Sequence, residues 1–365
     1  MGSAAGWHVG DKALSPHMLT QRRGQPVTMW HMLPLQGCQL SKMSSHNMSW
    51  IQYPSHVSPA VEDVIAVQSV ISRCTHVYVV LCIPLSLATG LFNLITFIRS
   101  RAKLGVLDKQ LLGLTVTCII MTLLSLSTAS RPNYMHTTNL GCGVLSFFAN
   151  VCYFTAQYLQ GAMLIPTLLP GSSCHLLLGS QAGLAAIGGC AICSSLIMMA
   201  LLGTSGELHR TTLCQVDPLT TWPEYEIVKF SLGFGLALAF KLVLLVLCAT
   251  QSTWRAAPAQ RDTASACGVV LAVALNMFAC RLLYNTVLLQ RARRKLQRDI
   301  GSPRDELLMN LAELVLFGES CINALATLLL HKPCRLALLG ILGHLSQRCR
   351  GQEADNSVSL HRVAS

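Results

Sequence analysis

Charge is scarce in this 365-residue chain: Asp, Glu, Lys and Arg make up 12% of it, about half of what a soluble domain carries. Hydrophobic residues reach 52% and mean hydropathy is +0.49, which together exclude an ordinary water-soluble fold. Histidine is missing from the interiors of the long apolar stretches and appears only at their ends, as His76 and His331. No two acids on different stretches are aligned, so the sets an intramembrane hydrolase needs are absent and no enzyme is expected. Although there are 16 cysteines, no CxxC or Cys/His cluster has metal-ligand spacing in a loop, and Cys190 and Cys193 lie inside an apolar stretch. Neither a metal nor any other cofactor is expected. The first 76 residues are polar and lack an apolar run that would serve as a cleavable signal, which leaves the first apolar stretch as the insertion signal. A net charge of +11 raises the question of nucleic acid, but the basic residues cluster at stretch ends rather than on one amphipathic face, so no nucleic-acid partner is expected.

What the chain has in abundance is apolar length. Seven stretches, at about 77–98, 110–129, 143–169, 176–203, 227–249, 266–289 and 307–330, each approach the roughly 20 residues a helix needs to cross hydrocarbon. Runs such as Leu242 to Leu247 and Leu325 to Leu330 show none of the alternation of a barrel strand. A lipid-facing backbone must satisfy its own polar groups, so the expected fold is all-α, a seven-transmembrane helix bundle. Residues 331–349, from Arg335 to Leu345 above all, read as a short amphipathic eighth helix on the membrane surface. Residues 1–76 read as a disordered tail, and 350–365 as a second tail whose Ser357, Ser359 and Ser365 are open to kinases.

The sequon Asn47-Met48-Ser49 would be glycosylated only if the N-terminus faces outward. Lys and Arg divide nearly evenly between the two sides, and the short loops disagree. Arg99, Arg101 and Lys103 favour an inner first loop, whereas Arg291, Arg293, Arg294 and Lys295 oppose an outer last one. An extracellular N-terminus is the expectation, with Arg291 to Arg298 as a solvated basic loop.

Several residues, taken together, resemble those of a rhodopsin-like (class A) G-protein-coupled receptor over roughly 77–349. Cys142 opens the third span and Cys214 lies beyond the fourth; Gly90-Leu91-Phe92-Asn93 leads into Arg99-Ser100-Arg101. Cys280-Arg281-Leu282-Leu283-Tyr284-Asn285 is similar to the family's C-W-x-P-Y-N stretch, and Cys321-Ile322-Asn323-Ala324-Leu325-Ala326-Thr327 to the N-P-x-x-Y stretch. The resemblance implies a disulfide between Cys142 and Cys214, an orphan-type receptor of the plasma membrane, an unknown extracellular ligand, and a heterotrimeric G protein or arrestin as cytoplasmic partner. Departures are plain. Arg281 stands for the switch Trp, Leu283 and Ala324 for the kink prolines, Thr327 for Tyr, and Cys118 where the family has a sodium-binding Asp. Pro166-Thr167-Leu168 stands where D-R-Y is expected, and the fourth and fifth spans lack the landmark Trp and Pro.

Charges in hydrocarbon cost about 2.5–3.5 kcal/mol on insertion scales and call for partners. At roughly 1.5 Å per residue, Arg281 lies about 12 Å inside its span, and Glu313 and Glu319 about 9 and 18 Å inside theirs. Glu319 and Asn323 are four apart on one helix face. A buried ion pair between Arg281 and Glu319, with Asn323 beside it, is therefore expected in the switch position. Arg281, Tyr284, Asn285 and Glu313 are the candidates for lining a ligand cavity. Cys349, between Arg348 and Arg350, is a palmitoylation candidate. The competing readings are a seven-helix scaffold that has lost signalling and, behind it, a transporter, for which internal repeats and broken helices are wanting.

Overall fold

Among the described residues, seven helices are long and apolar enough to cross a membrane. The computed structural model describes residues 59–100, 104–129, 135–168, 181–202, 211–214, 221–252, 261–298, 302–344 and 346–347. The helices are α1 (59–99), α2 (Val106–Ala129), α3 (Asn139–Leu168), α4 (Gln181–Leu201), α5 (223–252), α6 (Arg261–Leu296) and α7 (Pro303–Leu330), followed by α8 at 332–344. Single π-helical turns interrupt α1 at Tyr78–Cys82 and α5 at Ser231–Gly235, each inserting one residue into the helical ladder. In α5 the inserted turn carries Gly233, where any Cβ would collide with the Tyr153 ring of α3.

Helical ends follow local chemistry. At the head of α7, Ser302 and Asp305 form a capping box, and Pro303 occupies the first turn, where its missing N–H costs nothing. Arg298, at φ 58°, turns the chain out of α6.

Among the described residues the fold is the expected seven-helix bundle with one addition. Met135–Thr138 (β1), just before α3, pairs antiparallel with Thr211–Cys214 (β2), beyond α4, with Met135 opposite Cys214 and Thr138 opposite Thr211. This ladder caps the end of the bundle at which Cys142 opens α3. Central in the bundle, α3 packs on α2, α4, α5 and α6, while α7 packs on α6, α1 and α2. Apolar side chains from α2, α3, α5 and α6, among them Leu111, Met163, Leu244 and Met277, fill the core toward the opposite end, where His331 lies. Leu236, Val243 and Val246 of α5 point outward, as lipid-facing side chains do.

Two boundaries differ from the sequence expectation. The first helix begins at Pro59, inside the stretch expected as a tail, because an amphiphilic segment with Glu62 in its first turn continues the helix beyond hydrocarbon. Likewise α6 runs to Leu296, so Arg291, Arg293, Arg294 and Lys295 form its last turns rather than a solvated loop, and they face the favourable negative end of the helix dipole. Asn47, Cys349 and residues 350–365 lie outside the described residues.

Candidate functional site

The polar centre of the bundle is built around Arg281 of α6, which is 2% exposed. Its Nε donates to Glu319 Oε2 and its Nη2 to Glu319 Oε1, both at 2.9 Å, the bidentate fork that a planar guanidinium forms with a carboxylate. Nη1 donates to the Tyr153 carbonyl at 3.0 Å and to Gln157 Oε1 at 2.7 Å, both on α3. The guanidinium also lies 4.4 Å from the centroid of the Tyr153 ring. Arg281 thus joins α6 to α7 by charge and to α3 by hydrogen bonds and ring stacking. Glu319, itself 4% exposed, has both oxygens engaged.

Asn285, one turn toward the Cys142 end, donates to the Arg281 carbonyl at 2.7 Å and to the Tyr153 hydroxyl at 3.0 Å. Tyr284 is fully buried beside Tyr153, their ring centroids 6.1 Å apart. Of the four proposed cavity residues, then, Arg281 and Asn285 are directly linked and Tyr284 packs onto the same tyrosine. Glu313 is half-buried, two turns above Glu319 on α7. A narrow cavity, with room for about one water-sized guest, opens beside the pair between Thr117, Cys118, Arg281, Glu319 and Ser320.

From the pair downward, α7 and its C-cap carry Glu319, Asn323, Thr327 and His331 at a spacing of four, all buried. This spacing stacks them in one file along the helix. Each is held from the side or from its own helix. Asn276 of α6 donates to Asn323 Oδ1 at 2.8 Å and to the Glu319 carbonyl at 3.2 Å. Asn93 of α1 donates to the Ala324 carbonyl at 2.8 Å, and the Thr327 hydroxyl bonds to the Asn323 carbonyl. His331 Nε2 lies 3.0 Å from Asp108 Oδ1 of α2, and its ring packs 5.2 Å from Phe97 of α1. Its Nδ1 faces the Cys334 sulfur at 3.4 Å. Burial, with the Asp108 carboxylate second, pushes the Cys334 thiol up to about 12.

Toward the Cys142 end a second buried cluster closes the bundle. The Lys229 ammonium of α5 is ringed by Tyr153, Tyr225 and Tyr284, at 5.5, 5.8 and 5.4 Å from their centroids. One turn earlier on α5, Glu226 accepts from Lys295 at 2.6 Å, and Arg291 approaches it at 2.8 Å as an ion pair. Lys295 also donates to the Thr221 carbonyl at 2.9 Å. Arg294 pairs with Asp305, whose carboxylate also accepts from Ser302 in the cap of α7. Three ion pairs therefore clasp the α6 end to α5 and to α7, where a free loop was expected. Cys142 is disulfide-bonded, and β2, the strand that carries Cys214, packs against α3. The side chain of Cys214 lies outside the described residues.

Sequence reasoning named Arg281, Glu319 and Asn323 but missed Tyr153, Gln157 and Asn276, which hold them, and Asp108, which holds His331. Ser146, Asn150, Tyr153, Gln157 and Gln160 recur at helical spacing within a largely apolar span, and that polar stripe was the available signal. No family model matches the chain, and no curated protein matches it either.

Proposed function

We propose that the chain is a divergent, orphan-type receptor of the rhodopsin-like class, set in the plasma membrane with its N-terminus extracellular. A ligand entering at the Cys142 end would meet Tyr284, Asn285 and Glu313 and act on Arg281, and the helices would pass the change to a G protein or arrestin. One observation carries this reading: a single buried arginine ties α3, α6 and α7 together directly beneath the tyrosine-lined cluster. Anything that shifts Tyr153 or Asn285 must move a group bonded to all three helices. Ion pairs of this kind have two discrete conditions, formed or broken, which is what a switch needs. A Cys142–Cys214 disulfide would hold the β ladder over the entrance.

A second reading, a seven-helix scaffold without signalling, is favoured by the far end of α3. There the Thr167 hydroxyl folds back on the Met163 carbonyl at 2.9 Å, after Pro166, and the segment offers no charge to a transducer. Recruitment of G protein and arrestin, measured in cells for wild type, Arg281→Leu and Glu319→Gln at matched surface levels, separates the two. The receptor reading expects basal recruitment to change when the pair is broken. Absence of recruitment from all three, at normal surface abundance, overturns it in favour of the scaffold.

A further inference from the structure

Arg281 is not the only cation in the middle of the bundle. Lys241, on α5, lies about 13 Å along the helix from Thr250 at the nearer end of its span. Its Nζ donates to Gln160 Oε1 of α3 at 2.7 Å, and among the described residues no carboxylate comes within ion-pair distance of it. Glu319, the acid of the central site, already has both oxygens on Arg281. Gln160 is fully buried and its Nε2 is bonded to the Ala274 carbonyl of α6 at 3.1 Å, which fixes the amide with its oxygen turned toward the lysine. An ammonium has three N–H donors, and this one meets a single neutral acceptor in a setting where charge requires compensation.

The lysine is half-buried at the seam between α3 and α5. Beside it, the Phe240 ring lies against Gly161 of α3, where a Cβ would meet it at an ordinary contact distance of 3.5 Å. Along the outer face of α5, Leu236, Phe240, Val243 and Leu247 are exposed. The seam thus offers one cation at its inner edge and an apolar strip leading away from it.

We propose that Lys241 is the anchor of a site for a single-chain anionic amphiphile of the fatty-acid class, its carboxylate on Nζ and its tail along the outer face of α5. Charge complementarity calls for an anion, and the surroundings call for one that brings its own hydrocarbon. Depth favours the fatty acid over a phospholipid. Either anion needs a cation to leave the interface, but a fatty acid brings a lone carboxylate, whereas a phospholipid must bring its phosphate, glycerol and ester groups with it to a lysine that leans toward the start of α5, away from the nearer interface. The site is separate from the Arg281 centre and is independent of whether the chain signals.

The full chain in phosphatidylcholine vesicles, exposed to a photoactivatable long-chain fatty acid, tests the site without any signalling readout. Wild type and Lys241→Arg are expected to label saturably on α3 or α5, while Lys241→Gln, which keeps a hydrogen bond to Gln160 but not the charge, labels about tenfold less. The methyl ester of competing fatty acid is expected not to displace the probe from wild type. Equal labelling of Lys241→Gln at unchanged thermal stability overturns the proposal, as does displacement by the ester. Displacement by phosphatidylserine at the same mole fraction overturns the fatty-acid assignment in favour of a phospholipid headgroup. Should Lys241→Gln fail to fold, the two competition arms on wild type decide alone.

Discussion

At the scale of single residues, the central question is what a buried arginine gains from three neighbours. Arg281 gives up hydration for two bonds to Glu319, two to α3 and a tyrosine face, and such sets are far more sensitive to losing one member than to losing all. Arg281→Leu leaves the Glu319 carboxylate buried without its partner and is expected to cost roughly 3–5 kcal/mol. The double variant Arg281→Leu with Glu319→Leu is expected to recover most of that loss, because no uncompensated charge remains. Thermal unfolding of detergent-solubilised protein measures both, and a double variant less stable than either single one would show that the pair is not self-contained. This pair was legible in the sequence because a charge amid apolar residues advertises its need for a partner. Tyr153 and Gln157 were not, since a neutral polar side chain gives no hint of which neighbour it faces until the rotation of α3 is known.

At the scale of elements, the corner between α7 and α8 is fastened by His331, Asp108 and Cys334. Asp108 also accepts from the Gly105 amide at 3.0 Å, so one carboxylate orders the start of α2 and docks the corner. With its pKa raised from an ordinary 9.0 to about 12, the Cys334 thiol favours the fold below pH 9, and that contribution is lost as pH climbs toward 12. Since only the thiolate attacks a maleimide, Cys334 is expected to label far more slowly at pH 8 in the folded protein than in the denatured one. Asp108→Ala is expected to speed that labelling by loosening the corner; an unchanged rate would mean that packing against Phe97 suffices. The amphipathic α8 itself was legible, as were all seven apolar helices, because hydropathy is a local property. The ends of α1 and α6 were not, for there the helix continues through polar residues and depends on tertiary clasps such as Glu226 with Arg291 and Lys295.

At the scale of the whole molecule, seven helices long and apolar enough to cross a membrane are an odd number, and seven crossings would set the beginning of α1 and the end of α8 on opposite faces. Epitope tags at the two termini are therefore expected to be accessible from opposite sides in intact cells, with glycosylation at Asn47 if the N-terminus is outside. Access to both from one side would show that one apolar helix does not span. The sequence also foretold a bundle without the kink prolines in its sixth and seventh helices, and this bears on how the molecule moves. With no proline beyond its first turn, α7 runs through Ala324 without a proline hinge.

The file Glu319, Asn323, Thr327 and His331 adds a mechanical consequence. Three of its four members are gripped by side chains of other helices, α6 at two heights and α2 at the bottom, while α1 holds the neighbouring Ala324 carbonyl. A rod keyed at several levels along one edge resists swivelling about its own axis, because a small twist disengages every key together. Turning α7 is therefore the costly motion in this bundle, and α7 would serve as the mast of the assembly, to which α6 is lashed at two heights.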